Sequence, residues 1–132
     1  MIVQKPSTAI AASLLVVALL ATAGASAQIK RTPVLTADVA APGQHAVVVR
    51  GEIDGGVSAP RHTHPGDEIS YVLEGEVELL IDGEPPRLVK AGEAFVVPAG
   101  KVHGAHNPGS APLRFLGVYV VDKSKPLATP AK

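Results

Sequence analysis

Short runs of β-branched and aliphatic residues, separated by turns rich in glycine, proline and aspartate, fill the chain from residue 45 onward. Apolar and polar positions alternate within several runs, and beyond the N-terminal region no stretch has the 3.6-residue period of an amphipathic helix. The pattern predicts strands at His45–Ile53, Glu68–Leu73, Glu76–Asp82, Arg87–Lys90, Ala94–Val97, Val102–His106 and Leu113–Val121. Many short strands at regular spacing indicate an all-β sandwich or barrel, here over residues 45–122.

The turns and the flanking segments complete this division of the chain. Asp82 and Gly83 are typical of a tight hairpin, and the prolines that follow them indicate a strand at a sheet edge. Residues 28–44 are polar and interrupted by proline, so we expect an N-terminal arm there. Residues 123–132 contain two prolines and show no periodicity, so we expect a mobile C-terminal tail.

The N-terminal segment has a different pattern, an almost unbroken apolar run at residues 9–23. Lys5 precedes this run, and Ala25, Ser26 and Ala27 follow it. A positive start, an apolar middle and a small-residue end are the parts of a secretory signal peptide, so we expect residues 1–27 to be cleaved during export to the periplasm or the cell exterior. The alternative is a membrane anchor, but a bilayer span needs about 20 apolar residues.

Composition narrows the functions open to the mature chain, whose 105 residues run from 28 to 132. Loss of Lys5 leaves 11 of the 12 basic side chains against 12 acidic ones, a net charge of −1, without a basic run. Nucleic acid is therefore not an expected partner. The absence of cysteine excludes disulfides and thiol chemistry. No later apolar stretch is long enough to anchor the cleaved chain in a membrane.

The candidate chemistry lies in three of the five histidines. His62 and His64 are two positions apart, so on a strand both side chains leave the same face, about 6.5–7 Å apart at the backbone. Glu68 follows a bend at residues 65–67 that returns it to the same interior, and His103 must approach through the fold. Imidazole and carboxylate donors that converge in this way are ligands for a divalent metal ion.

The residues around these four resemble the two motifs of the cupin superfamily. The first motif is matched by Gly56, His62, His64, Glu68 and Gly75, and the second by Gly92, Pro98, Gly100, His103 and Asn107. The resemblance covers residues 45–121 and implies a jelly-roll β-barrel of two antiparallel sheets. It also implies that His62, His64, Glu68 and His103 bind one divalent transition-metal ion, whether iron, manganese, nickel, copper or zinc.

The other polar candidates are expected to have structural roles. His45 and His106 lack motif spacing, and His106 should face away from the metal site if its strand is regular. Asn107 is expected to hold a turn through hydrogen bonds. The remaining candidates for binding an anion are expected at the surface, and they are Arg61, Arg87 and Arg114.

Alternation along the strand that carries Glu68 predicts an inner and an outer face. Ser70 and Val72 should face inward with Glu68, which leaves an outer face made of Ile69, Tyr71 and Leu73. Exposing three large apolar side chains is unfavourable, so we expect the arm or the second subunit of a homodimer to cover them, and similar cupins are commonly dimers. The inner wall is expected to include Phe95, Phe115 or Tyr119, and a mostly aliphatic cavity suits a small, weakly polar substrate.

These inferences favour a small metal-dependent enzyme, with a dioxygenase-like oxidoreductase as the first hypothesis. Glu68 would be a metal ligand and could also accept a proton. A metal-dependent lyase or isomerase is the nearest alternative, and a non-catalytic metal- or ligand-binding module is the alternative from another class. A metal-free sugar isomerase would need a His–Asp pair and a basic phosphate pocket, and the sequence indicates neither.

Overall fold

The computed structural model describes residues 27–132, and ten β-strands make up their regular structure. The strands are β1 (Ile29–Asp38), β2 (Gln44–Ile53), β3 (Ser58–Thr63), β4 (Gly66–Glu74), β5 (Glu76–Ile81), β6 (Arg87–Lys90), β7 (Ala94–Val97), β8 (His103–His106), β9 (Leu113–Asp122) and β10 (Thr129–Pro130). Within this range no helix is long and apolar enough to cross a bilayer. Except for Ala27, the predicted signal peptide lies outside the described residues and stays a prediction.

The strands form two antiparallel sheets of five strands each. Sheet A has the order β1-β2-β9-β4-β7, and sheet B has the order β10-β3-β8-β5-β6. The predicted all-β jelly roll of two antiparallel sheets is therefore confirmed. Strands β6 and β7 have the predicted bounds, β4 is longer than predicted by two residues at its start and one at its end, and β2, β5, β8 and β9 differ from the prediction by one residue at one end. No range was predicted for β3.

The core lies between the sheets and follows from alternation along the strands. In β4 the side chains of Glu68, Ser70 and Val72 are buried, and the side chains between them are exposed. The largest fully buried apolar side chains are Ile53, Val72, Val97, Leu113 and Val121. The buried polar side chains are His64, Glu68, Ser70, His103 and Asn107, and all but Asn107 belong to the predicted site or contact it. The interior is thus apolar except around the predicted site and one turn.

Asn107 holds that turn, as the sequence predicts. Its side-chain amide donates to the carbonyl oxygens of Ile53 and Ala111, both at 2.9 Å, and its side-chain oxygen accepts from the Gly109 N–H at 2.9 Å. These bonds join the ends of β2, β8 and β9. The predicted hairpin is also present between β5 and β6, where Gly83 has a φ of 84°, a conformation that glycine adopts without strain.

The segment predicted to be an N-terminal arm is instead a strand of sheet A. Strand β1 pairs with β2 along its whole length, with a register shift between Pro33 and Leu35. A residue without an N–H is tolerated at such a bulge in an edge strand. Nearly every β1 side chain is exposed, so the strand lacks the alternation that would reveal it in the sequence. Because β1 lies at the sheet edge, it leaves the outer face of β4 open, with Ile69 44% exposed.

The C-terminal segment predicted to be mobile is bonded to sheet B. Thr129 and Pro130 form β10 and pair with Thr63 and His62 of β3. The Ala131 N–H donates to the Arg61 carbonyl oxygen at 3.0 Å. These are main-chain contacts, which leave no pattern of hydrophobic and polar residues. The tail therefore forms an edge of the barrel next to the predicted site.

Candidate metal centre

Both sheets contribute to the site, and the structure brings together all four predicted ligands. His62 of β3 lies opposite His103 of β8 in sheet B. His64 directly follows β3, and Glu68 lies in β4 of sheet A. One donor atom from each residue lies within 4.8 Å of the corresponding atom of every other. The sequence-predicted set is thus a single cluster between the sheets.

The bend between the third and fourth strands carries the chain from one sheet to the other. A Cβ on Gly66 would lie 2.0 Å from the Val120 carbonyl oxygen, so glycine lets β4 begin this close to β9. The Gly100 N–H donates to the His64 carbonyl oxygen at 3.0 Å and holds the chain just before the bend. The bend therefore turns His64 and Glu68 into the same interior from different sheets.

Main-chain carbonyl groups orient all three imidazoles. Each histidine donates from Nδ1, His62 to Pro60 at 2.8 Å, His64 to Leu127 at 2.6 Å and His103 to Lys101 at 3.0 Å. A carbonyl oxygen can only accept a hydrogen bond, so Nδ1 carries a proton in each ring. In the neutral ring Nε2 then presents a lone pair. Three such lone pairs point into the cluster.

The Nε2 atoms and the Glu68 carboxylate converge on one point. Nε2 of His62 and Nε2 of His64 are 3.1 Å apart, and Glu68 Oε2 lies 3.2 Å from His64 Nε2 and 3.1 Å from His103 Nε2. Two nitrogen lone pairs at this distance repel unless a cation lies between them. Donors about 2.1 Å from a shared ion and at right angles are about 3.0 Å apart. The observed separations fit donors around one metal ion.

Burial and charge shift the pKa values of the cluster in different directions. Burial alone would raise the pKa of Glu68. In the metal-free cluster, where a proton in place of a metal ion on Nε2 lets His103 and His64 donate to Glu68, these bonds and the one from Ser70 outweigh burial and hold this pKa well below its usual range. Burial lowers the pKa of His62 despite its bond to the Pro60 carbonyl. Burial also acts to lower the pKa of His103, but the bond to Glu68 reverses this and raises it. The site thus favours an ionised carboxylate that needs positive charge beside it.

A cavity of about 320 Å³ lies beside the cluster, and Tyr119 forms part of its wall. The Tyr119 ring centroid is 4.7 Å from that of His64. A Cβ on Gly117 would lie 2.8 Å from the Tyr119 hydroxyl oxygen, so glycine lets the ring fold back along β9. Burial and the charge of Glu68 raise the pKa of Tyr119, which keeps its hydroxyl protonated. Of the three aromatic candidates, Tyr119 lines this cavity, whereas Phe95 and Phe115 pack in the main core.

The residues predicted to have structural roles lie outside the cluster. His106 Nδ1 is 2.9 Å from the Ser58 hydroxyl oxygen, and the cluster does not include His45. Arg114 is paired with Glu52 at 2.7 Å and with Glu74 on the outer face. Arg87 is exposed, whereas Arg61 pairs with Asp82 and also reaches the cavity mouth.

Two groups near the site were not predicted from the sequence. Arg31 of β1 lines the cavity, and the Leu127 carbonyl bonds His64. Both belong to segments predicted to lie outside the barrel. No periodicity marks either segment, so the sequence contained no pattern that would place them at the site.

The fold and the cluster define a jelly-roll protein with a three-histidine, one-glutamate centre between its sheets. A family model described as a cupin domain, Cupin_2, matches residues 47–119, which is more than half of the chain. The chain therefore belongs to the cupin family, and the resemblance drawn from its motifs is confirmed.

Its relatives include enzymes. The chain is 42% identical over 48 residues to dimethylsulfoniopropionate lyase DddQ of Ruegeria pomeroyi, a match that covers 36% of this chain and 24% of the lyase. A structure of oxalate oxidase with the substrate analogue glycolate has a TM-score of 0.58 and 28% identity, over 65% of this chain and 46% of that one. The matches thus span about a quarter of the lyase and about half of the oxidase.

The architecture of the whole barrel has a fuller match. A Klebsiella pneumoniae protein with a double-stranded β-helix domain superposes with a TM-score of 0.65 and 26% identity, covering 80% of this chain and 85% of that one. The match supports the assignment of the fold.

Proposed function

We propose that this cupin binds one divalent transition-metal ion through His62, His64, Glu68 and His103 and acts as an enzyme on a small molecule. The observation that carries the proposal is the orientation of the three imidazoles. Each Nδ1 donates its proton to a main-chain carbonyl, so three Nε2 lone pairs and one carboxylate oxygen converge on one point. A single proton cannot bridge all four of these acceptors, whereas a metal ion can bind them together. Neutral imidazoles and a carboxylate are ligands that iron, manganese, nickel, copper and zinc accept.

Residues around the proposed metal ion would have distinct roles in binding it and in forming the cavity beside it. A metal ion in this cluster would supply Lewis acidity and open positions for substrate, water or dioxygen. Glu68 uses Oε2 toward the imidazoles and accepts the Ser70 hydroxyl on Oε1 at 2.7 Å, so both its oxygens are engaged. Its low pKa also makes it a weak base, which favours the ligand role over the predicted proton-accepting role. Tyr119 forms part of the cavity wall beside His64, against which a substrate could lie.

A dioxygenase-like oxidation is the first reaction class we propose, because four protein ligands leave two positions on a six-coordinate ion. A lyase is the second candidate, and its support is the 42% identity to the dimethylsulfoniopropionate lyase segment. Oxygen uptake by the metal-loaded protein with a panel of small organic acids tests the first. An elimination product formed without oxygen uptake would favour the second. If the protein shows neither activity, the non-catalytic metal-binding module is the remaining candidate.

Metal analysis is the more basic test. Protein purified from its exported compartment should contain about one metal ion per chain, and dialysis against a chelator should yield protein that takes up one ion again. His64→Ala should lose this stoichiometric uptake, whereas His106→Ala should keep it. Equal metal content in both variants would contradict the proposed ligand set.

We also propose that the outer face of sheet A joins two copies into a homodimer. A row of apolar residues crosses all five strands, with Leu35 beside Val48, Val48 beside Val118, Val118 beside Ile69 and Ile69 beside Val96. The row is open at both ends, because Leu35 is 52% exposed at one end and Ile69 and Val96 are 44% and 54% exposed at the other. A row of this kind is suited to sheet-on-sheet packing with its own copy.

A further inference from the structure

The cavity beside the cluster combines two guanidinium groups with a mostly apolar wall. Its apolar lining includes Val49, Leu127 and Pro130, and one side is formed by the rings of His62 and His64. Two arginines, Arg31 and Arg61, complete the lining. The volume of about 320 Å³ is at the lower end of the range for small-molecule sites.

The backbone register explains why Arg31 faces the cavity. Arg31 lies opposite Gly51 in the pairing of β1 with β2. Residues paired directly across two antiparallel strands point to the same face, and on β2 this is the inward face of Val49 and Ile53. Gly51 brings no side chain of its own, and its Cα is covered by the Phe115 ring, which a Cβ would meet at 2.1 Å. The Arg31 side chain therefore lies on the inward-facing side of β1 at the edge of the barrel, where it lines the cavity and stays exposed to solvent.

The two arginines differ in their partners. Arg61 is paired with Asp82, which neutralises its charge. For Arg31, none of the ion pairs among residues 27–132 supplies a carboxylate. A guanidinium group at the mouth of a small apolar cavity is suited to a planar oxyanion, which it can bind with two parallel hydrogen bonds.

We propose that the substrate of this cupin is a small carboxylate, that Arg31 binds its carboxylate group, and that its apolar body lies against Val49 and Leu127. The proposal rests on the metal-dependent function above and replaces the weakly polar substrate predicted from the sequence. It makes Arg31 a specificity-determining residue, placed at the cavity by the strand that the sequence did not reveal.

Propionate and propionamide test the proposal, because they have nearly the same shape and differ in charge. Binding to the zinc-loaded and to the metal-free protein would be followed by chemical-shift titration of backbone amides. Wild type should bind propionate about tenfold or more tightly than propionamide, since a hydrogen bond to a charged group is worth that much. Arg31→Gln should bring the two affinities together, and Arg31→Lys should retain part of the preference.

Arg50→Gln is the matched control. Arg50 is an exposed residue next to Gly51 on the opposite face of β2, so this variant should bind as wild type does. Two measurements separate this proposal from the proposed metal function. Lack of metal uptake by wild type would overturn the metal site, and the titrations of the metal-free protein test the role of Arg31 independently of the metal. Equal affinity for propionate and propionamide in wild type, an unchanged preference in Arg31→Gln, or tighter binding of methyl phosphate than of propionate would overturn the proposal.

Discussion

Replacement of His64 by alanine should abolish most of the stabilisation that a metal ion gives to this protein. His64 is 6% exposed, bonded through Nδ1 to the Leu127 carbonyl, and its Nε2 lies 3.1 Å from that of His62. Loss of a residue that only orients a ligand costs about 10–100-fold in metal affinity. Loss of a ligand itself should cost at least about 100-fold.

The expected shift in melting temperature follows from mass action. At a free metal concentration of about 100 times Kd, an ion that binds only the folded state stabilises wild type by about 2.7 kcal/mol. For a domain of roughly 100 residues this raises Tm by about 10 °C. At the same metal concentration His64→Ala, with an affinity about 100-fold lower, gains only about 0.4 kcal/mol, or about 2 °C.

The assay is the difference in Tm between chelated and metal-loaded samples of each variant. His64→Ala also loses the ring contact with Tyr119 and the hydrogen bond to the main chain. This loss lowers the free energy of unfolding of the metal-free and the metal-loaded protein alike by about 1–3 kcal/mol. Because this cost is common to both samples, the difference isolates the metal. His106→Ala, whose ring bonds Ser58 outside the cluster, should keep the full 10 °C or so. A metal-dependent shift in His64→Ala as large as that of wild type would refute the ligand assignment.

Four further predictions use the same protein. Ending the chain at Lys125 removes the Leu127 carbonyl and β10, so metal affinity should fall about 10–100-fold; Leu127→Ala, which keeps the carbonyl, should stay within a few-fold of wild type, and equal losses by titration would contradict the role of the main chain. The metal-dependent rise in Tm should shrink as pH falls from about 8 to about 5.5, because protons compete for the imidazoles; a pH-independent rise would exclude histidine ligands. Ile69→Lys should give a monomer by light scattering while Leu88→Lys, on the other sheet and 46% exposed, should remain a dimer; a monomeric wild type at micromolar concentration would contradict the dimer. The intact mass of exported protein should be that of a chain beginning at Gln28, and a full-length species retained in the membrane would count against cleavage.

The parts of this protein that the sequence predicted are those that depend on side chains. Alternation in β4 predicted that Glu68, Ser70 and Val72 are buried, because a core between two sheets must select apolar or paired groups at every second position. Motif spacing predicted the four clustered residues, since donors can converge only where turns return them to one interior. Both the alternation along the strand and the motif spacing depend on which side chains occupy which positions, so both can be recognised in the sequence.

The parts that the sequence missed depend on main-chain groups. Strand β1 is held to β2 by backbone hydrogen bonds while nearly all its side chains are exposed, and β10 joins β3 in the same way. Backbone N–H and C=O groups are the same in almost every residue, so these pairings leave little trace in composition or periodicity. Arg31 and the Leu127 carbonyl were missed for this reason, although each lies at the cavity.

The metal-free and metal-loaded states should respond to pH in opposite ways. Without a metal, the raised pKa of His103 means that its bond with Glu68 stabilises the fold fully below the ordinary value of 6.5 and is lost as pH rises through the raised value. The lowered pKa of Glu68 keeps its own contribution present above the ordinary value of 4.5 and removes it only in strong acid. As pH rises through the raised pKa of His103, the metal-free cluster therefore loses the positive charge of this ring while the carboxylate stays ionised. A divalent cation can replace that charge once the imidazoles have lost their extra protons. Loss of the His103 proton therefore weakens the metal-free cluster and at the same time frees a nitrogen that can bind the metal ion.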